Sequence, residues 1–230
     1  MREGHISKAF DGELASLHIH VLELGGLVLA QVHEATHAYT EWDPHLGHQA
    51  IAREGQVLQR AGSIFDEQLQ LLARRNPVAS DLRSILALAR VASELARAGA
   101  EARKIARTVL QQSGRPARSI AIDVQHLAHL AVDLLRRSLD ALDTLEPAVA
   151  DDVIQHDQDL DNEYAAGLRR LLTRAMENPA QTEITVEAAF TLKSLERIGD
   201  HACNIARLVL AMAERLAPAR SEPAPTTPNA

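Results

Sequence analysis

Apolar residues recur along this chain at three- and four-residue intervals, the spacing of one face of an α-helix. Leu192, Leu195, Gly199, Ala202 and Ala206 form one such stripe; Val153, Leu160, Tyr164 and Leu168 form another. Alternation of the kind a half-buried strand needs is nearly absent. Proline cuts the pattern into segments. Asp43-Pro44 and Glu146-Pro147 each close one helical run and open the next, as do Asn76-Pro77 and Asn178-Pro179. Proline suits a first helical turn, and an Asp or Asn before it can cap that turn. Gln112-Ser113-Gly114-Arg115-Pro116 makes the central break. Six helices follow, over 8–41, 44–74, 78–112, 116–144, 147–176 and 180–216.

The segments repeat. Asp43-Pro44-His45-Leu46 matches Glu146-Pro147-Ala148-Val149, and Ala50-Ile51 matches Val153-Ile154. Gly99 and Ile105-Ala106 match Gly199 and Ile205-Ala206. Repeated turns and repeated apolar spacing predict an internal duplication. Short loops favour antiparallel neighbours. The expected fold is all-α: two tandem, duplicated antiparallel three-helix bundles, over 1–113 and 114–216. One continuous six-helix array is the alternative. Residues 217–230 carry Pro218, Pro223, Pro225 and Pro228 among small polar residues, a composition that cannot bury a core and predicts a disordered tail.

Composition agrees with long, closely packed helices: 46% apolar residues but only 3% aromatic, within 230 residues. The net charge is −7 with no basic block, which argues against a nucleic-acid partner. The mixed charge does not favour anionic membranes either. Val21 to Ala30 is the nearest approach to an uninterrupted apolar run and is too short for a membrane span. Met1 to His5 lacks the apolar core of a signal peptide. A soluble, cytoplasmic protein is expected. The single cysteine, Cys203, permits no internal disulfide and reads as a core residue.

The chemistry concentrates in the second half. Glu196, Asp200 and Asn204 are each one turn apart on a helix, at the edge of the Leu192–Ala206 stripe. Asp157 and Asp161 repeat that arrangement beside the other stripe. Taken singly, such acids are usually a solvated face, as Asp151, Asp152 and Asp159 are expected to be. Two acidic pairs on consecutive antiparallel helices can instead meet, and four clustered carboxylates repel unless a cation lies between them. Oxygen ligands suit Mg²⁺, Ca²⁺, Mn²⁺ or iron, and carboxylates also take Zn²⁺. The first half lacks this set. Glu54 stands opposite Asp157, but Leu58, Ala96 and Ala100 stand opposite Asp161, Glu196 and Asp200. Glu101 and Lys104 replace His201 and Asn204. The shared fold therefore does not require the acids.

The chain resembles the PhoU family on several of these stretches: Met1-Arg2-Glu3 with His5 to Lys8 and Phe10-Asp11, Val21 to Val28, Pro77 to Arg83, and above all Leu195 to Ala202 with Asn204-Ile205-Ala206. The resemblance implies a six-helix, two-bundle fold with acidic motifs that bind metal, normally in both halves. It carries metal-ligand roles to Asp157, Asp161, Glu196, Asp200 and Asn204, and fails at Leu58, Ala96 and Ala100. It implies a non-enzymatic negative regulator of bacterial phosphate uptake and phosphate-starvation signalling, at the inner face of the membrane. The implied partners are the phosphate ABC transporter's ATPase subunit and the phosphate-sensing histidine kinase; a homodimer is left open.

Other polar features have plainer readings. His33 and His37 are one turn apart and capable of chelation, but read first as exposed histidines. His126 and His129 are weaker ligand candidates, and His201 points about 100° from Asp200. Gly25-Gly26 costs helix stability and points to close helix packing. Phosphate-loop, nucleophile-elbow and triad patterns are absent. A di-iron-like carboxylate enzyme is the rival class, against which stands the lack of paired Glu-x-x-His motifs. A metal-free helical scaffold is the third.

Overall fold

Six α-helices are formed by the described residues: α1 (Glu3–Glu41), α2 (Pro44–Arg75), α3 (Ala79–Gln111), α4 (Arg118–Thr144), α5 (Pro147–Glu177) and α6 (Thr182–Leu216). The structure, a computed structural model, describes residues 3–75, 77, 79–111 and 114–216, and no strand occurs among them. The tail from 217 onward, the expected Asn76 cap and the Gln112-Ser113 part of the central break lie outside the described residues.

Three boundaries depart from the sequence reading, the first being α1, which starts at Glu3 rather than at residue 8. Pro116 and Ala117 stay outside α4, Ala117 being extended at φ −57°, ψ 145°. A 3-10 turn, Pro179–Gln181, precedes α6, and the Thr182 hydroxyl donates to the Pro179 carbonyl at 2.8 Å.

The turn chemistry is duplicated in detail. The His45 backbone N–H donates to Asp43 Oδ1 at 2.8 Å, the cap expected before Pro44. Glu146 precedes Pro147 in the same way but makes no side-chain cap bond. The residues just before them, Trp42 and Leu145, are both left-handed, at φ 59° and 53°. That conformation costs a non-glycine residue roughly 1–2 kcal/mol. Both side chains pack on the core, and Trp42 meets Tyr39 edge-on at 5.7 Å. Burial of a large apolar side chain offsets a cost of that size.

Each repeat closes on itself: α1, α2 and α3 all touch one another, and so do α4, α5 and α6. The closed triples replace the alternative of a continuous array. α3–α6 and α1–α4 contacts join the repeats, while α2 and α5 touch only their own bundle among the described residues. The site-bearing helix α5 is thus on the outside and α6 is shared between core and inter-repeat face.

The duplication extends to side-chain packing. A Cβ on Gly99 would meet Gln31 and Val57; one on Gly199 would meet Leu134 and Leu160, the equivalent residues of the second repeat. Helices cross closely at both places because no Cβ intervenes. By length and composition α1 over Phe10–Glu41 is apolar enough to cross a membrane. Its neighbours explain that composition. α2, α3 and α4 all pack on α1, and Leu17, Val21, Leu24, Val28 and Val32 are fully buried. A helix covered on several sides is apolar on several sides.

Candidate metal centre

The register between α5 and α6 decides which acids meet. Gly199 faces Leu160 and Gly167 faces Leu192, so the helices run antiparallel with these residues level. Asp200 therefore lies across from the stretch between Asp157 and Asp161. Glu196 lies one turn further along, level with Glu163. The electrostatics follow. The Asp200 carboxyl is held above the usual carboxylate range by burial first, then by the charges of Asp157 and Asp161, which outweigh the opposing effects of Lys193 and His201.

Asp157 is half-buried beneath this rim, whereas Asp161 and Asp200 are exposed. Its Oδ1 is buried without an aligned hydrogen bond, with the Cys203 thiol as a neighbouring donor group. A buried carboxylate oxygen without an aligned hydrogen bond costs free energy that a cation would recover. Below it is Cys203, fully buried, with its thiol pushed up to about 12 by burial first and by the Asp157 charge second. The thiol is a core group, as expected, and stays protonated.

Glu196 is engaged differently. Lys193 Nζ donates to both of its carboxylate oxygens at 2.6 Å and lies 5.4 Å from the Tyr164 ring centroid. Lys193 thereby supplies an internal cation at one end of the acidic seam. Asn204 turns elsewhere: its amide donates to Glu94 of α3 at 3.2 Å and its carbonyl accepts from Arg207 at 3.0 Å. One-turn spacing drifts by about 40° per step, so Asn204 is rotated about 80° from Glu196. That drift carries it onto the inter-repeat face. The structure sets Asp200 across from Asp157 and Asp161, within reach of their charges, places Glu196 at their margin under Lys193, and sends Asn204 to α3.

The donor chemistry of these three carboxylates, oxygen ligands with excess negative charge, is of the kind a hard cation would take. They do not form a closed shell; among the described residues no three His, Cys, Asp or Glu groups already share one coordination point.

The first repeat shows what the same place looks like once neutralised. Arg103 occupies the position of Cys203, and its Nε lies 2.9 Å from Glu54 Oε1, at an ion-pair distance without hydrogen-bond alignment. Glu54 thus has a permanent cation where Asp157 has a thiol. Leu58, in place of Asp161, is 58% exposed, and Ala96 and Ala100 contribute no charge.

Sequence reasoning missed the ionic layer between the repeats. His201 is half-buried and pairs with Glu94 at 2.8 Å. Glu101, also buried, meets Lys104 at 2.7 Å and Arg197 at 3.3 Å. Burial pushes the Glu101 carboxyl up, but hydrogen bonds from Lys104 and Ser194 and the nearby cations outweigh it and hold it below the usual range. Glu94 and Glu101 in α3 answer Ser194 and His201 in α6 pairwise, a local twofold relation. The available signal was Glu94 beside Leu95 and Val91 on an apolar face. His126 pairs with Glu163 at 3.4 Å, away from the Asp157 line, and His129 faces α1.

The geometry defines a class: a tandem duplication of a three-helix bundle, joined through its first and third helices, with an acidic seam on one repeat. The PhoU domain family matches residues 21–109 and 124–209, one match per repeat. The chain belongs to the PhoU family. It is 39% identical to a Pseudomonas putida phosphate-specific transport system accessory protein PhoU homolog, over 90% of this chain and 81% of that protein. Identity to the PhoU accessory protein of Escherichia coli K12 is 30%, over 89% and 85%. The crystal structure of PhoU from Pseudomonas aeruginosa superposes with a TM-score of 0.85 at 36% identity, covering 89% of this chain and 99% of that one. The phosphate transport system regulatory protein PhoU of Streptococcus pneumoniae gives 0.80 at 25%, covering 88% and 96%.

Proposed function

We propose that this protein is a non-enzymatic regulatory adaptor that restrains phosphate uptake and phosphate-starvation signalling. Its partners in this reading are the ATPase subunit of the phosphate ABC transporter and the phosphate-sensing histidine kinase. It acts in the cytoplasm, at the inner membrane through those partners. The observation that carries the reading is the PhoU domain in both repeats, shared with relatives named as accessory proteins of phosphate-specific transport. Deleting the gene tests it. Phosphate uptake and phosphate-starvation gene expression should both rise in phosphate-replete cells; unchanged values for both overturn the assignment.

The second-repeat seam holds a divalent or iron cation in this reading, through Asp157, Asp161 and Asp200. Support comes from the Asp157 oxygen that lacks an aligned hydrogen bond and from the charges of Asp157 and Asp161 acting on Asp200. Glu196 joins only by leaving Lys193, so metal and lysine compete for it. Asn204 joins only by leaving Glu94. Elemental analysis of untagged protein, purified without chelator, identifies the metal. Glu196→Ala with Asp200→Ala should lower metal content and remove thermal stabilisation by metal, because a ligand that binds only the folded state stabilises it. Glu54→Ala should do neither. Equal metal content in the double variant and the parent rejects the seam as a site.

A further inference from the structure

A groove of about 280 Å³ separates α1 from α4, with His33 and His37 on one wall and His129 and Asp133 on the other. The His33 and His37 rings lie 4.7 Å apart between centroids, tilted by 31°. Side chains one helical turn apart point the same way. Two imidazoles sharing one ion bind it at about 2.0–2.1 Å each, which brings their rings to a separation of this order. All three histidines are exposed, so rotating a ring breaks no buried packing. The α1–α4 register supplies the third arm. Gly25 faces Leu139, and His18 lies by Leu142 and Asp143. Counting along both helices from there carries His129 level with His33. Asp133 is held at 2.7 Å by both Arg136 and Arg137, and is not counted as a ligand.

We propose that His33, His37 and His129 form a site for a divalent transition metal ion, Zn²⁺, Ni²⁺ or Cu²⁺, that bridges the two repeats. Imidazole nitrogens select these ions, whereas the carboxylate seam between α5 and α6 suits harder ones. Among the described residues the three rings do not yet share a coordination point. The site closes by rotamer changes of exposed side chains, which occur in picoseconds to nanoseconds.

The only tryptophan, Trp42, gives the readout. It follows His37 by five residues, about 7.5 Å along a helix axis, near enough for bound Ni²⁺ or Cu²⁺ to quench its fluorescence. Full-length untagged protein is titrated with Ni²⁺, and Zn²⁺ binding is followed by calorimetry. Saturable quenching is expected with Ni²⁺ and none with Mg²⁺. His33→Ala or His37→Ala should weaken binding at least about tenfold, because chelation makes the second ligand effectively intramolecular. His129→Ala should weaken it by a smaller factor. Asp157→Asn with Asp161→Asn should leave the quenching midpoint unchanged, which separates this site from the acidic seam. Helical circular dichroism is checked for each variant. Quenching in the His33→Ala, His37→Ala double variant equal to that of the parent overturns the site. An unchanged midpoint in His129→Ala overturns the bridge between repeats.

Discussion

Gly25 and Gly26 are neighbours in one helix, and alanine should move stability in opposite directions at the two positions. A Cβ at Gly26 meets nothing within 4 Å. A Cβ at Gly25 would lie 2.3 Å from Leu139 Cδ2, 3.1 Å from Cδ1 and 3.3 Å from Cγ. Swinging a terminal methyl cannot relieve all three, since Cγ is itself too close; the Leu139 side chain or α4 must move. Glycine to alanine inside a helix gains roughly 0.8–1 kcal/mol. Gly26→Ala should keep most of that. Gly25→Ala gains the same propensity but incurs the overpacking cost of about 1–3 kcal/mol. It should end between neutral and about 2 kcal/mol destabilised.

Backbone propensity cancels in the difference between the two variants, leaving the packing at the inter-repeat contact. For a chain of this length each kcal/mol moves Tm by about 2–4 °C. Gly26→Ala should therefore melt about 2–4 °C higher, and Gly25→Ala at or below the parent. Scanning calorimetry in the presence of chelator measures both without a contribution from bound metal. Equal upward shifts would mean that α1 and α4 do not approach each other at Gly25, and would refute the inter-repeat packing described above.

Asp200→Asn should stabilise the metal-free protein at pH 7 while reducing stabilisation by added metal. The native carboxyl is raised above its unfolded value, so its contribution is fully present below the unfolded pKa of about 4 and is lost as pH rises through the folded pKa. The variant's advantage should close as pH falls below about 4, which urea denaturation across pH detects; no advantage at pH 7 would contradict the repulsion. Cys203 should resist iodoacetamide in the native protein at pH 8 and react once in denaturant. Its thiol is pushed up to about 12, so stability should fall above the unfolded value of about 8.5, where only the unfolded chain ionises. Rapid native alkylation would show the thiol is not buried. Arg103→Ala leaves Glu54 half-buried without its cation. The loss should fall between those of surface and fully buried pairs, about 1–3 kcal/mol. An unshifted urea midpoint would show that Glu54 needs no partner.

Helix number and pairing were legible because proline and capping residues punctuate the chain and the punctuation repeats. Asp43-Pro44 marked the start of α2 to the residue. The 3-10 turn at Pro179–Gln181 was not legible, because a proline opens either helix type. The acidic site was read in part. One-turn spacing aligned Asp157 with Asp161 and identified Asp200, but it carries no information on the register between helices. That register separates Asp200, across from the pair, from Glu196, one turn away. Asn204 was placed with the acids by counting turns, although accumulated rotation takes it to Glu94. Lys193 could be read as an ordinary helix-surface lysine three residues from Glu196; its place over Tyr164 depends on α5. Equally, no local pattern in α3 shows that Glu94 faces His201, since that contact joins residues from different repeats.

The two repeats share the same backbone solution and differ in how they treat charge at its outer groove. Gly99 and Gly199 let the second and third helices of each repeat close against Val57 and Leu160. One turn beyond, the first repeat sets Arg103 against Glu54 and the second sets Cys203 against Asp157. The first pair is internally compensated. The second leaves a buried oxygen without an aligned hydrogen bond and adds Asp161 and Asp200 nearby. The first repeat shows that the fold closes without that concentration of charge, so helix packing does not explain it. Lys193 offsets the charge only at the Glu196 end. What remains is a place where, in the reading proposed above, a bound cation would relieve the repulsion and satisfy the Asp157 oxygen in one step. The outer position of α5, which among the described residues touches none of the three helices of the other bundle, leaves that place accessible without opening the inter-repeat interface.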